Sequence, residues 1–315
     1  NSYGQLGNGN NTSSNVPVQV SGLTGVAALA GGGYHSLALK NDGTVWAWGF
    51  NLNGQLGNGN ITPSNVPVHV SGLTGVTALA GGGWGSLALK NDSTLWAWGT
   101  NSYGQLGNGN NTGSNVPVHV IGLTGVVAIA EGAWHSLALK NDSTLWAWGY
   151  NNWGELGNGN NNNSNVPVHV SGLTGVAALA GGALYSLASK NDGTVWAWGL
   201  NSDGEFGNGQ TSTISNVPVQ ASGLTGVVAV AGGNRHSLAL KNDSTVWAWG
   251  YNLDGELGNG NNTNSNVPVQ VIGLCPMIAG VEEENIISLL NIFPNPATTE
   301  VKLNFGKAAR YNVQL

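Results

Sequence analysis

The feature that most constrains this chain is a pentapeptide that keeps returning. Val45–Gly49 (VWAWG) recurs as Leu95–Gly99, Leu145–Gly149, Val195–Gly199 and Val246–Gly250, at steps of 50, 50, 50 and 51 residues. Ten of the thirteen tryptophans lie in these five copies. In an extended strand successive side chains point to opposite faces, so both indoles of each copy share one face. A face carrying two large rings must be covered, and in a chain with this period the neighbouring repeat is the available cover. The tryptophan pairs are therefore read as structural.

One complete repeat reads as four short strands. Val26–Ala30 (VAALA) is apolar, Gly31–Gly33 turns it, and His35–Leu39 (HSLAL) returns. Lys40–Gly43 (KNDG) is a hairpin, since Asn, Asp and Gly accept turn geometry. Thr44–Trp48 follows, then a glycine-punctuated loop over Asn51–Gly59 (NLNGQLGNG) and a proline-containing strand, Val66–Val70 (VPVHV). Proline lacks the N–H that a ladder needs, so this last strand belongs at a sheet edge. Ser71–Gly75 (SGLTG) closes the unit. Four antiparallel strands repeated at this period predict an all-β propeller of four-stranded blades, with five full repeats and part of a sixth.

The composition agrees with this reading. Charged residues make up 8% of the chain, apolar residues 41%, and there are 51 glycines. That suits a turn-rich all-β protein and not a disordered one. A net charge of −6 with two arginines argues against a nucleic-acid partner, which calls for a basic stripe, and against insertion at an anionic membrane. A single cysteine, Cys275, rules out an intrachain disulfide framework. The first residue, Asn1, falls in mid-repeat without a methionine, so the sequence reads as a fragment.

The run WGxNxxGQLGNG, PVxV and GLxGVxALAxGxxHSLALKNDGTVWAWG resembles the regulator of chromosome condensation repeat, a propeller family, over residues 1–274. That family typically closes about seven blades. Here there are five Trp-Ala-Trp strands but six NxxGxLGNG loops, so the blade number departs from the family pattern. Eukaryotic members can act as nucleotide exchange factors for a small GTPase. That role is not carried over, because fold does not fix function.

Strand direction sorts the loops. The KND(G/S) and GLTG turns share one face, here called the bottom, and they hardly vary. The turns around positions 34 and 50–53 share the top, and they vary from copy to copy. Position 34 and its equivalents read Tyr34, Trp84, Trp134, Leu184 and Arg235; the next position reads His35, Gly85, His135, Tyr185 and His236. Position 50 reads Phe50, Thr100, Tyr150, Leu200 and Tyr251, and position 53 reads Tyr3, Asn53, Tyr103, Trp153, Asp203 and Asp254. A constant scaffold with one variable rim is how repeat proteins build a specific surface. The expected partner-binding residues are Tyr34, Phe50, Trp84, Tyr103, Trp134, Tyr150, Trp153, Tyr185, Arg235 and Tyr251. Glu155, Asp203, Glu205, Asp254 and Glu256 make the later half of this face acidic by sequence.

No catalytic residue, metal site or cofactor is expected. His69, His119 and His169 alternate with Gln19, Gln220 and Gln270 in the proline strands, so they read as outward-facing polar residues. His35, His135 and His236 are expected to bond backbone at the top turn. Glu155, Glu205 and Glu256 replace the glutamines of earlier copies, and two of them could pair for glycoside cleavage, but no second, differently tuned acid adjoins them. The glycine-rich loops lead into strands, not helix N-termini, which leaves phosphate binding unsupported.

Beyond residue 274 the repeat ends. Glu282–Glu284 marks an acidic linker over 275–291. Phe293-Pro294-Asn295-Pro296-Ala297, followed by the alternating run Val301–Phe305, resembles the start of the C-terminal sorting domain of the type IX secretion system of Bacteroidota, here incomplete over 292–315. The resemblance implies export through that machinery to the cell surface or medium. The chain is expected to be a secreted or surface binding module that recognises a protein or a glycan through its aromatic top face. The alternatives are a propeller-type inhibitor of a secreted enzyme, a role that similar secreted propellers play toward β-lactamase, or a polysaccharide-cleaving enzyme.

Overall fold

The computed structural model describes residues 1–274 and the backbone of 291–292 and 303–304. The first repeat forms β1 (Val26–Gly31), β2 (His35–Lys40), β3 (Val45–Gly49) and β4 (Ser64–His69), hydrogen-bonded in the order of the chain as an antiparallel meander. Four further blades repeat it. They run from β5 (Val76–Gly81) to β8 (Ser114–His119), β9 (Val126–Glu131) to β12 (Ser164–His169), β13 (Val176–Gly181) to β16 (Thr213–Gln220), and β17 (Val227–Gly232) to β20 (Ser265–Gln270). The first strands of successive blades lie side by side. That neighbourhood puts β1, β5, β9, β13 and β17 on the inside and the proline strands on the outside. This is the propeller arrangement expected from the repeat.

The proline strand begins two residues earlier than the sequence suggests and contains a bulge. Ala47 pairs with Val68 and Gly49 with Ser64, so three residues on β4 oppose one on β3. Pro67 lies within that bulge on the outer strand, where its missing N–H breaks no ladder bond.

The tryptophan pairs of the second to fifth blades pack against the preceding blade, as their shared face requires. Ala88, Trp96 and Trp98 of the second blade join Leu37, Leu39, Val45 and Ala47 of the first in one apolar cluster. The same assembly recurs around Trp148, Trp198 and Trp249. Burying an indole of this size supplies several kcal/mol, on the order of 25 cal/mol per Å² of apolar surface.

The NxxGQLGNG loop turns out to be a latch between blades. Asn51, fully buried, gives its amide protons to the carbonyls of Asn60 (3.1 Å) and Thr62 (3.0 Å) and accepts from Leu56 N–H (2.9 Å). This pins the loop over the next blade, where the Gln55 carbonyl receives both Trp98 Nε1–H (2.8 Å) and Ser86 Oγ–H (3.0 Å). Gly57 is required there, because its φ is +65° and a Cβ would sit 2.8 Å from Trp98 Nε1. The first loop, residues 1–9, covers the first blade in the same way: Trp48 donates to the Gln5 carbonyl at 2.8 Å. Segment 16–20 joins no sheet among the described residues, and Val16 is 62% exposed.

Cys275, the acidic linker and the FPNPA element lie outside the described residues. Of the 275–315 region only two paired dipeptides are described, β21 (Asn291–Ile292) and β22 (Leu303–Asn304).

Candidate functional site

The two faces come out as the strand directions imply. At the bottom, Asn41 N–H donates to Gly25 O (2.8 Å) and Val76 N–H to Gly43 O (3.3 Å), which ties the KND(G/S) and GLTG turns together. At the top, Phe50 N–H donates to Tyr34 O (2.9 Å), which holds the two variable turns edge to edge.

On the top face the rings of the first three blades form one connected series. Tyr3 meets Phe50 at 4.7 Å and Tyr34 at 6.2 Å between centroids. Tyr34 meets Trp84 at 5.0 Å, Trp84 meets Trp134 at 6.0 Å, Trp134 meets Tyr103 at 5.7 Å, and Tyr103 meets Tyr150 at 4.8 Å. Edge and tilted contacts at these distances stabilise aromatic pairs by about 0.5–1.5 kcal/mol beyond burial. The rings therefore hold one another rigid. Tyr34 stays 43% exposed, Tyr3 41%, and Trp84, Trp134, Tyr103 and Tyr150 are half-buried. Phe50 lies beneath as a buried support. Trp153 is 40% exposed and Tyr251 half-buried, and both stand apart from the series.

Two expectations about this face need correction. Tyr185 presents no ring to a partner, because its side chain is 1% exposed and its hydroxyl donates to His236 O inside the next blade. Burial pushes its pKa above the ordinary tyrosine range. Glu155 and Glu205 do not charge the surface, being 0% and 1% exposed. Each turns back to accept a backbone N–H two residues earlier, Trp153 N (3.0 Å) and Asp203 N (2.8 Å). Gln55 and Gln105 make the same bond in earlier copies. Burial raises the Glu155 pKa to about 8, so a protonated carboxyl stands in there for the amide, and burial raises that of Glu205 as well. The carboxylate pair weighed for glycoside cleavage is thus spent on the two loops' own backbones. Asp203, Asp254 and Glu256 remain at the surface to different degrees, and Arg235 (56% exposed) lies 3.5 Å from Asp203.

His35 and His135 also differ from expectation. Their Nε2 atoms bond the hydroxyls of Ser86 and Ser186 in the next blade at 2.8 Å, not backbone at their own turn. Burial lowers both to a pKa of about 4, so they are neutral couplers between blades.

One arrangement escaped the sequence reading. Gly85 stands where other copies have His or Tyr, and Glu131 stands where they have Gly. In the first blade the His35 ring covers Gly32, whose Cβ would fall 2.1 Å from Cε1. In the second, the Glu131 carboxyl from the third blade takes that place: a Cβ on Gly82 would fall 2.8 Å from its Oε2. Ser136 Oγ–H donates to Glu131 Oε1 at 3.5 Å, and burial raises the carboxyl's pKa to about 8. Two departures from the repeat, one copy apart, were the signal for a compensating pair.

His69, His119 and His169 are exposed, as expected, and stack edge-on against Trp46, Trp96 and Trp146 at 5.5, 5.6 and 5.5 Å. Among the described residues no three His, Cys, Asp or Glu side chains are grouped to hold a metal ion.

A blade-built repeat protein with one rigid aromatic face is the class this geometry defines. The family model for the RCC1-like domain matches residues 1–289, and the chain belongs to that family. The ultraviolet-B receptor UVR8 of Arabidopsis thaliana is 45% identical over 42 residues, 13% of this chain and 10% of that protein. Among solved structures, human WBSCR16 superposes with a TM-score of 0.71 at 28% identity, covering 78% of this chain and 66% of that one. Prp20p of Saccharomyces cerevisiae superposes with a TM-score of 0.70 at 24% identity, covering 78% and 63%, and shows the fold alone. The chain spans less than two thirds of the length of these relatives.

Proposed function

We propose that this chain is a protein-binding module whose recognition surface is the aromatic top face of the first three blades. The observation that carries this reading is the unbroken series of rings from Tyr3 to Tyr150, held rigid by mutual contact yet open to solvent on one side. Large, rigid, amphipathic side chains lose little conformational entropy on binding and dominate interface hot spots. The fold is known to carry such a role: the reported binding properties of Prp20p are toward Gsp1p and histones, and yeast RCC1 (Prp20) has been seen with Kap60 bound. A glycan is the lesser reading for the same rings. No residue is assigned to catalysis and no cofactor is invoked.

Export belongs to the same proposal and rests on the FPNPA tail, whose resemblance to a sorting domain supports a location at the cell surface or beyond. The test of the binding role is capture on immobilised protein, wild type beside Trp84→Ala/Trp134→Ala, from surface and secreted extracts. Loss of the captured protein in the double variant, with melting temperature kept, supports the reading. Capture that is indifferent to both rings sinks it.

A further inference from the structure

Where the aromatic series ends, the top face opens into a recess. Between the fourth and fifth blades Leu184, Tyr185, Leu200, Glu205, Asn234 and Arg235 line a cavity of about 160 Å³. The equivalent place between the first and second blades is filled by the chain's own rings. There Tyr34, Phe50 and Trp84 touch at 5.0–6.2 Å. In the fourth blade the same backbone positions carry Leu184 and Leu200, and the covering residue of the next blade is Arg235. The fourth blade differs in that its third and fourth strands pair further, Leu200 with Ile214 and Asn201 with Thr213, and at these turn positions it carries no ring.

We propose that this recess receives an aromatic side chain of the protein partner, completing in the complex the series that the first three blades build for themselves. The inference rests on the top face being the binding face and names its anchor. The recess is partly open and mixes polar Glu205, Asn234 and Arg235 with its leucines. Size agrees: a cavity of about 150 Å³ holds benzene. So does chemistry. Leu184 and Leu200 are apolar walls, and the buried Tyr185 ring adjoins them, with its hydroxyl tied down on His236 O. Arg235, steadied by Asp203 at 3.5 Å, puts a guanidinium at the lip, where the face of an incoming ring meets a cation. The exposed Asn234 amide offers a hydrogen-bond partner to a phenolic hydroxyl. Glu205 is 1% exposed and its carboxyl is held by its own loop, accepting from Asp203 N–H at 2.8 Å and Ser202 Oγ–H at 3.2 Å.

The test uses the full chain and three probes, N-acetyl-tyrosinamide, N-acetyl-phenylalaninamide and N-acetyl-leucinamide, followed by saturation-transfer NMR titration. The two aromatic amides should bind the wild type at least about fivefold more tightly than the leucine amide. Leu200→Phe, which places in the fourth blade the residue the first blade has at Phe50, should abolish that preference. Arg235→Ala, at an exposed position that folding does not need, should weaken aromatic binding by about threefold to tenfold. Lys90→Ala/Lys140→Ala, on the bottom face, should leave probe binding unchanged. Equal affinity for the leucine amide, or an unchanged titration in both Leu200→Phe and Arg235→Ala, overturns the anchor. Partner capture that depends on Trp84 and Trp134 while probes ignore the recess would sink the anchor and spare the face. Probe binding as expected with capture indifferent to the two tryptophans would do the reverse.

Discussion

The bottom and top faces of this propeller are made by the same strands, yet they behave as opposites. At the bottom every blade builds one cluster. A lysine Nζ lies 5.7–6.0 Å from the first tryptophan of the pair, in all five copies. The same lysine reaches the turn aspartate at 2.9–3.6 Å. At the top no two blades agree. Uniformity marks positions whose work is to hold each blade in the same shape, and variation marks positions freed from that work. The tryptophan pair joins the two regimes, since one indole belongs to the bottom cluster and the other is sealed under the top loop.

That division can be broken by substitution. The largest effect is expected within one pair: Trp148→Ala, at a ring with no exposure, should cost about 3–5 kcal/mol in urea unfolding, and Trp146→Ala clearly less. Equal losses would dissolve the distinction between sealed and clustered rings.

The next effect is chemical and depends on pH. Glu131 and Glu155 have pKa values of about 8 against 4.5 when unfolded, so the folded chain keeps protons that the unfolded chain gives up. Stability therefore falls as pH rises from about 4.5 through about 8. His35 and His135, at about 4 against 6.5, act the other way: their contribution is lost as pH falls from 6.5 through about 4. Above pH 6.5 the glutamates alone set the slope among these four. Glu155→Gln, which supplies the side chain found at Gln55 and Gln105, should stabilise the protein at pH 8 by about 1–3 kcal/mol and leave it unchanged at pH 4.5. Thermal melts across that range read it directly.

Smaller effects test the exchange between Gly85 and Glu131. Gly85→His alone should destabilise by about 1–3 kcal/mol, because the imidazole enters space the Glu131 carboxyl holds. Glu131→Gly in the same chain should recover most of that loss, giving the coupling expected of neighbours in a double-mutant cycle. The smallest effect is at the bottom turn. Ser93, Ser143 and Ser244 adopt φ of +62° to +64°, where the first and fourth blades have glycine. Ser143→Gly should stabilise by about 1 kcal/mol, and the same change outside the turn should not.

Much of this fold was legible in the sequence because repetition exposes it. The period gave the blades, the shared face of each tryptophan pair gave the packing against a neighbouring unit, and Pro67 gave the outer strand. The top rim was legible as the place where copies disagree. Burial within that rim was not. Tyr185 reads as an aromatic among aromatics, but it occupies a histidine position that points between blades. Glu155 and Glu205 read as surface charge, although their glutamine counterparts mark an acceptor site aimed at backbone. In each case the repeat position, not the residue type, decides the direction of the side chain. The latch made by Asn51 and the Gln55 carbonyl was hidden for a different reason: it joins a loop to the blade after its own.

The measurement that bears most directly on the whole account compares the two faces against a single captured partner. Affinity would be taken for the wild type, for the top variant Trp84→Ala/Trp134→Ala, and for the bottom variant Lys90→Ala/Lys140→Ala, each checked for an unchanged fold. The top variant is expected to lose at least about tenfold in affinity and the bottom one to change within about twofold. A bottom variant that loses binding while the top variant keeps it would contradict the assignment of recognition to the face where the repeats differ.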